Sequence, residues 1–326
     1  MQNSTPWQPS CSIELLQLRA RMLQRIRVFF AERNVLEVET PLLSHASSTD
    51  AQLHFFTTFY ETSANRQPLF LQTSPEFAMK RLLAAGSGSI FQICKAFRNG
   101  EAGRFHNPEF TMLEWYRINF DLTELMTEVE SLFDFLFDGQ LAPPLRLSYQ
   151  TVFEQFTGLN ALIFSFEDYS TFAKKANLID AIKICGDNHV LWLDFLFSFC
   201  VQPYLGEKGL CLIQDYPACQ SSLARLNANN PLITERVEVF LHGIELGNGY
   251  HELTDFFEQN RRFDAEIEIR CRENLPAAIK DENLLAALKN GLPNCAGIAL
   301  GLDRILMILA KMQKISDVLS FDIERA

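Results

Sequence analysis

The segment from Ile90 to Tyr116 constrains the fold more than any other. Ile90–Phe97 and Phe110–Tyr116 both read as strands, and a polar loop, Gly100–Pro108, joins them. With no helical pattern in the loop to carry a parallel crossover, the two strands read as a long antiparallel hairpin.

The flanking sequence adds helices and further strands. Ile13, Leu16, Ala20, Leu23, Ile26 and Phe30 recur at helical spacing, and Asn34 is a plausible left-handed cap. Val35–Glu39 alternates like a half-buried strand that Pro41 ends. Thr73-Ser74-Pro75-Glu76 reads as a strand exit into a helix, with Ser74 as cap and Pro75 in the first turn. Leu122–Phe137 is helical in spacing, and Pro143-Pro144 is the best candidate boundary. The Phe-rich stretch from Tyr149 to about Asn230 reads as helices inserted between two parts of one sheet. Arg236–Leu241 and Ile244–Leu253 are strands about a His242-Gly243 turn, the second interrupted by Gly247 and Gly249. Asp255–Asn274 and Asp281–Asn290 read as helices, Gly297–Leu302 as a strand and Asp303–Met312 as a last helix. Runs of strands with segregated helices predict an α+β fold with a largely antiparallel sheet.

Charge narrows the partners. Lys+Arg number 29 against 40 Asp+Glu, a net −11 that argues against sequence-independent binding to nucleic-acid phosphates. The most apolar stretch, Leu191–Val201, is broken by Asp194 and Ser198 and falls short of the roughly 20 residues that span a bilayer, so no membrane partner is expected. Met1–Thr5 has neither a basic cluster nor an apolar run, which speaks against a secretory signal. Eight cysteines include no C-x-x-C, the nearest pair being Cys211 and Cys219, so they read as free thiols in a reducing cytoplasm. His45, His54, His189 and His242 read as structural or surface positions.

Three stretches carry candidate chemistry. Arg98–Phe110 places two Arg, one His and two Asn on the hairpin loop; it either presents a guanidinium to a phosphate or is a solvated loop. Glu238, Glu245 and Glu252 recur every seven residues. Carboxylates inside a sheet call for a metal ion or a cationic ligand, whereas at a strand edge they are acidic gatekeepers. Asn248 lies between two glycines, where backbone approaches a ligand easily. Ala299-Leu300-Gly301-Leu302-Asp303-Arg304 enters a helix with Arg304 in its first turn, against the helix dipole unless an anion sits there.

In order, these pieces resemble the class II aminoacyl-tRNA synthetases, lysyl branch. The helix, strand and Pro41 look like motif 1, which in that family builds a dimer interface. Phe97-Arg98-Asn99 through His106-Asn107-Pro108-Glu109-Phe110-Thr111-Met112-Leu113-Glu114 looks like lysyl motif 2, and Gly301-Leu302-Asp303-Arg304 like motif 3. The resemblance starts at about residue 10, leaving no room for an anticodon-reading barrel. The expectation is one class II catalytic domain over 1–326, with a mostly helical insertion at about 140–230 and no anticodon-binding domain. That absence, with Trp7-Gln8-Pro9-Ser10, Ser74-Pro75-Glu76 and Gly249-Tyr250-His251-Glu252-Leu253-Thr254-Asp255, resembles truncated lysyl paralogues that attach (R)-β-lysine to translation elongation factor P.

The resemblance implies roles for single residues. Arg98 would contact the α-phosphate of ATP as the catalytic residue. His106 and Arg304 would hold the γ-phosphate, and Phe110 would stack on adenine with Arg304 over its other face. Asn99, Gly100, Asn107, Leu246 and Gly301 would complete the ATP site. Glu238 and Glu245 would hold Mg²⁺. Glu76 would meet the substrate amine, Asn248 its carboxylate, and Tyr116 and Glu252 its distal ammonium, with Ser74, Pro75 and Ala299 lining the pocket. Ser74 replaces a typical Ala and Ala299 a typical Gly, which implies a reshaped pocket for a β-amino acid. Gly100 stands where the family has an acidic residue; Glu101 is next in line. The expectation is an ATP-dependent ligase, a homodimer in the cytoplasm acting on elongation factor P and not on tRNA. A tRNA-charging enzyme and a non-catalytic amino-acid sensor are the rivals.

Overall fold

A computed structural model describes residues 7–326. Met1–Thr5, where a signal was judged absent, lies outside the described residues. The elements begin with α1 (Ile13–Ala31), β1 (Leu36–Glu37), β2 (Leu43–Ser44), β3 (Thr57–Glu61), β4 (Arg66–Leu71) and α2 (Glu76–Ala84). The hairpin follows as β5 (Ile90–Phe97) and β6 (Glu109–Ile118), then α3 (Leu122–Leu136) and β7 (Ala142–Ser148). Four helices come next: α4 (Tyr149–Thr157), α5 (Phe166–Lys175), α6 (Ile179–Cys185) and α7 (His189–Leu196). The chain closes with β8 (Gly209–Pro217), β9 (Ile233–Leu241), β10 (Ile244–His251), α8 (Phe256–Arg272), α9 (Glu282–Gly291), β11 (Cys295–Gly301) and α10 (Leu302–Leu309).

These elements form two compact units. The first comprises the described part of Met1–Asn119 with Thr254–Cys295 and Ala299–Ala326. Its centre is the antiparallel β5–β6 pair, in register from Ile90↔Tyr116 to Phe97↔Glu109, with β1 parallel to β5. A second sheet in this unit has the order β2-β4-β3. Helix α1 buries Phe29 and Phe30, and the Phe30 ring lies 4.5 Å from Phe91 and 5.2 Å from Trp115. Asn34 ends that helix in the left-handed region, at φ 52°. The strand expected at Val35–Glu39 is only the two residues of β1.

The second unit comprises Phe120–Leu253 and Ala296–Ile298, with the strand order β10-β9-β8-β7. β9 pairs antiparallel with β8 and β10, whereas β7 and β8 run parallel. A parallel pair requires a crossover, and α4–α7 supply it. Their core gathers Tyr149, Phe153, Trp192 and Phe197 against Cys211, Ile213, Tyr216 and Phe240 of the strands.

Two expectations are corrected here. The helical reading of the Phe-rich stretch stops short, because Gly209–Pro217 is a strand whose first five residues are all buried. A continuous apolar run cannot be told from a buried helix by periodicity. Pro143-Pro144 is no boundary: both prolines lie in β7, where the register with β8 shifts between Ala142 and Leu145. β7 is the edge of its sheet, and edges and bulges are where strand proline is tolerated.

Candidate active site

In the first unit, β6 delivers a carboxylate that sequence reasoning did not single out. Glu114 is 1% exposed. Its oxygens accept from Ser74 Oγ at 2.8 Å and from Tyr116 OH at 2.5 Å, Tyr116 standing two residues on and therefore on the same strand face. Burial pushes the Glu114 carboxyl up to about 8, and the negative charge of Glu76 adds to that. The available signal was an acid within the otherwise apolar strand Phe110–Tyr116.

Ser74 also accepts the Glu76 N–H at 3.0 Å. The helix begins at Glu76 and its N-cap residue is Pro75, one position later than expected, so Ser74 keeps a capping bond from just outside. Glu76 receives a hydrogen bond from Lys80 Nζ at 2.5 Å, and that lysine is buried. Ser74, Glu76, Glu114 and Tyr116 thus form one acidic wall. Ala299 lies half-buried in β11.

The hairpin loop carries the cationic groups. The Arg98 N–H donates to Pro108 O at 2.9 Å and closes the loop. Its guanidinium carbon is 5.2 Å from the centre of the Phe110 ring, and its Nε is buried without a hydrogen-bond partner. Glu101 stands 3.9 Å from Arg98 Nη1 and 4.0 Å from His106 Nε2. Gly100 adopts φ +81°, which a side chain rarely does, and the Asn99 N–H is held by His54 O at 2.7 Å. Arg304 donates to Phe105 O at 3.1 Å and to His106 Nε2 at 2.7 Å. Asn107 is buried, donating to Glu109 O at 2.7 Å and accepting from the Ile323 N–H at 3.0 Å, so its amide works inside the protein. Gly301 is the N-cap residue of α10. Next to it, buried Asp303 accepts from the Thr111 N–H at 2.6 Å and pairs with Arg19, which moors the turn bearing Arg304 to β6 and α1.

In the second unit, register explains how residues at odd spacings share a face. Glu245 pairs with Phe240, Asn248 with Glu238 and Tyr250 with Arg236, because a bulge lies between Glu245 and Gly247. Without it, Glu245 and Asn248, three residues apart, would point to opposite faces. Leu246 is buried in that bulge. Glu238 accepts from Arg236 Nη2 at 2.5 Å and from Tyr216 OH at 2.5 Å. Arg236 lies 4.7 Å from the Tyr216 ring. Burial pushes Glu238 up, Arg236 opposes this, and the charge of Glu245 adds to the rise. Two carboxylates that feel one another suit a divalent cation. Among the described residues no group of three or more His, Cys, Asp or Glu gathers to hold a metal. Mg²⁺ bound through one or two carboxylates and substrate phosphates matches this donor set. Glu252, directly after β10, is 1% exposed.

Comparison with known proteins returns one family and a consistent set of relatives. The family described as tRNA synthetases class II (D, K and N) matches residues 9–325. An elongation factor P--(R)-beta-lysine ligase of Pectobacterium carotovorum is 46% identical over 328 residues, covering 100% of both chains. Proteins of the same name from Pseudoalteromonas translucida and Pasteurella multocida are each 46% identical over 322 residues, 98% of both chains.

Proposed function

The chain belongs to the class II tRNA synthetases (D, K and N), and we propose that it is an ATP-dependent ligase that activates (R)-β-lysine and transfers it to a lysine of translation elongation factor P. The observation that carries this reading is the buried Glu114, bonded to Ser74 and Tyr116 beside the carboxylate of Glu76. A buried acid whose pKa is raised by burial and by a neighbouring carboxylate suits a ligand with ammonium groups. The name and full-length coverage of the relatives support the same substrate.

Activation forms one bond to phosphorus and breaks another. A carboxylate oxygen of the amino acid attacks the α-phosphorus of ATP, the bond to the bridging oxygen breaks, and pyrophosphate leaves. Arg98, with an uncommitted Nε beside Phe110, stabilises charge on the α-phosphate while Phe110 stacks on adenine. His106 and Arg304, already bonded to each other, hold the γ-phosphate end. Asn99, Gly100 and Gly301 shape the backbone around the nucleotide, and Glu101 is positioned to replace the acid missing at Gly100. Glu238 and Glu245 would hold Mg²⁺, which when bound neutralises phosphate charge. By the resemblance, Asn248 would take the carboxylate of the amino acid, Glu76 its nearer amine, and Tyr116 and Glu252 its distal ammonium, with Glu114 bonded to Tyr116. In the second step the neutral ε-amine of the acceptor lysine attacks the acyl carbon. AMP leaves with the bonding pair, and the nitrogen loses a proton to give the amide.

The acceptor is a protein and not tRNA. The enzyme acts in the cytoplasm as a homodimer; its eight cysteines are free, and among the described residues no helix is long and apolar enough to cross a membrane. The test is pyrophosphate exchange with (R)-β-lysine and α-lysine, followed by the mass of elongation factor P after incubation. Exchange preferring α-lysine, or an unmodified factor, would refute the assignment. Arg98→Ala should slow adenylate formation by at least about a hundredfold, as loss of one charge-stabilising donor does. Near-normal exchange in a folded variant would show that Arg98 has another role.

A further inference from the structure

The strand leading into Glu252 is locked from behind by a polar cluster that the reaction does not use. Asn248 and Tyr250 share one face of β10 and Gly249 and His251 the other, and Glu252 follows directly after the strand, bridged to Ala224. The register that pairs Tyr250 with Arg236 sets His251 level with Glu235. His251 Nδ1 lies 2.5 Å from a Glu235 oxygen, with the two side chains 10% and 21% exposed. Glu235 also acts on Asp215, whose carboxyl is raised by burial and then by that charge.

A single residue grips the backbone on both sides of this point. The Arg225 N–H donates to His251 O at 3.0 Å. Its guanidinium donates to Glu252 O through Nε at 3.3 Å and Nη2 at 3.2 Å. The Arg225 carbonyl accepts in turn from the Glu235 N–H at 3.0 Å and from Thr234 Oγ1 at 2.8 Å. The Leu253 N–H bonds to Leu223 O at 3.1 Å, and Ala224 bridges to Glu252. Two successive carbonyls around the buried Glu252 carboxylate are therefore fixed by one arginine, and His251 pins the same peptide to the neighbouring strand.

We propose that Arg225 and the His251–Glu235 pair are positioning residues that fix Glu252 relative to Asn248 and so set the length of amino acid accepted. This rests on the reading that Asn248 meets the carboxylate and Glu252 the distal ammonium. Glu252 stands four positions after Asn248, directly beyond the last residue of β10, so the rigidity of this strand end sets the separation between the two recognition points. A loosened strand end lets the carboxylate follow shorter or longer tails.

The experiment measures pyrophosphate exchange by the full chain, with KM determined separately for (R)-β-lysine, for its homologue one methylene shorter, and for ATP. His251→Ala and Glu235→Gln should raise the KM for (R)-β-lysine about tenfold, leave that for ATP within about twofold, and narrow the preference over the shorter homologue. His251→Asn, which keeps an N–H near the Nδ1 position, should regain most of the loss. Equal rises in both KM values, or an unchanged KM and length preference in folded His251→Ala, would overturn the proposal. Should His251→Ala fail to fold, the same comparison with the near-isosteric Glu235→Gln decides. Glu252→Gln separates the two levels. If it leaves the KM for (R)-β-lysine unchanged, the reading of Glu252 falls and the inference with it. If it raises that KM while the His251 and Glu235 variants do not, only the inference falls.

Discussion

A carboxylate that is 1% exposed beside a second carboxylate must be protonated or paired, and Glu114 has hydroxyl partners from Ser74 and Tyr116 but no cation of its own among those bonds. Its folded pKa, about 8, lies above the ordinary 4.5. The stability this group contributes is therefore full below the ordinary value and is lost as the pH rises through about 8. Binding an ammonium works in the opposite direction, because the carboxyl must give up its proton. The KM for (R)-β-lysine should fall as the pH rises from about 6 to about 8, and Glu114→Gln should raise that KM and flatten the profile. A pH profile of exchange kinetics checks both. Ser74 acts through the same carboxylate: its hydroxyl is bonded to Glu114 rather than left open for a shifted amine. Ser74→Ala with Ala299→Gly should still move the preference from (R)-β-lysine toward α-lysine by about 10- to 100-fold, since each change alters a wall contact worth about 1–3 kcal/mol. The ratio of exchange efficiencies for the two lysines reads this out, and an unchanged ratio removes both positions from specificity.

At the scale of elements, the hairpin of β9 and β10 does what neither strand does alone. His242 and Gly243 both take positive φ, 55° and 72°, as a tight turn with the right-handed twist requires. The bulge then brings Glu245 onto the face of Glu238 and Asn248. Gly249 allows close approach: a Cβ there would meet Gly297 O at 2.7 Å and Ile298 Cβ at 2.8 Å. Gly249→Ala should destabilise the protein by about 1–3 kcal/mol, as overpacking does. It should also weaken amino-acid binding, because Asn248 rides on the displaced strand and Glu252 follows directly after it. Urea denaturation and exchange kinetics measure the two effects, and unchanged stability would mean that β10 yields without strain.

For the whole molecule, Ile13, Val28 and Leu36 are all exposed, and they lie in α1 and β1. Scattered exposed apolar residues need no explanation, but a cluster in the expected dimer-forming segment does. The protein should be a dimer by light scattering at micromolar concentration, and Val28→Asp with Leu36→Asp should shift it toward monomer. A monomeric parent protein would refute this. What the sequence determined by itself is whatever depends on neighbours along the chain. The β5–β6 hairpin follows from two apolar runs and one polar loop, α1 from its spacing, and Asn34 as its left-handed end from a side chain that tolerates positive φ. The residues of the resemblance were legible for the same reason, because they stand in contiguous runs. Tertiary structure alone decided which polar groups lose water and which partners they find. Glu114 reads as one more acid until Ser74 closes over it, and Glu238 as an unpaired acid until Arg236 and Tyr216 each bond to one of its oxygens. β8 and the two prolines of β7 misled for the same reason. A strand is stabilised by pairing with residues far off in sequence, so its edge, its bulge and its burial are properties of the partner as much as of the segment.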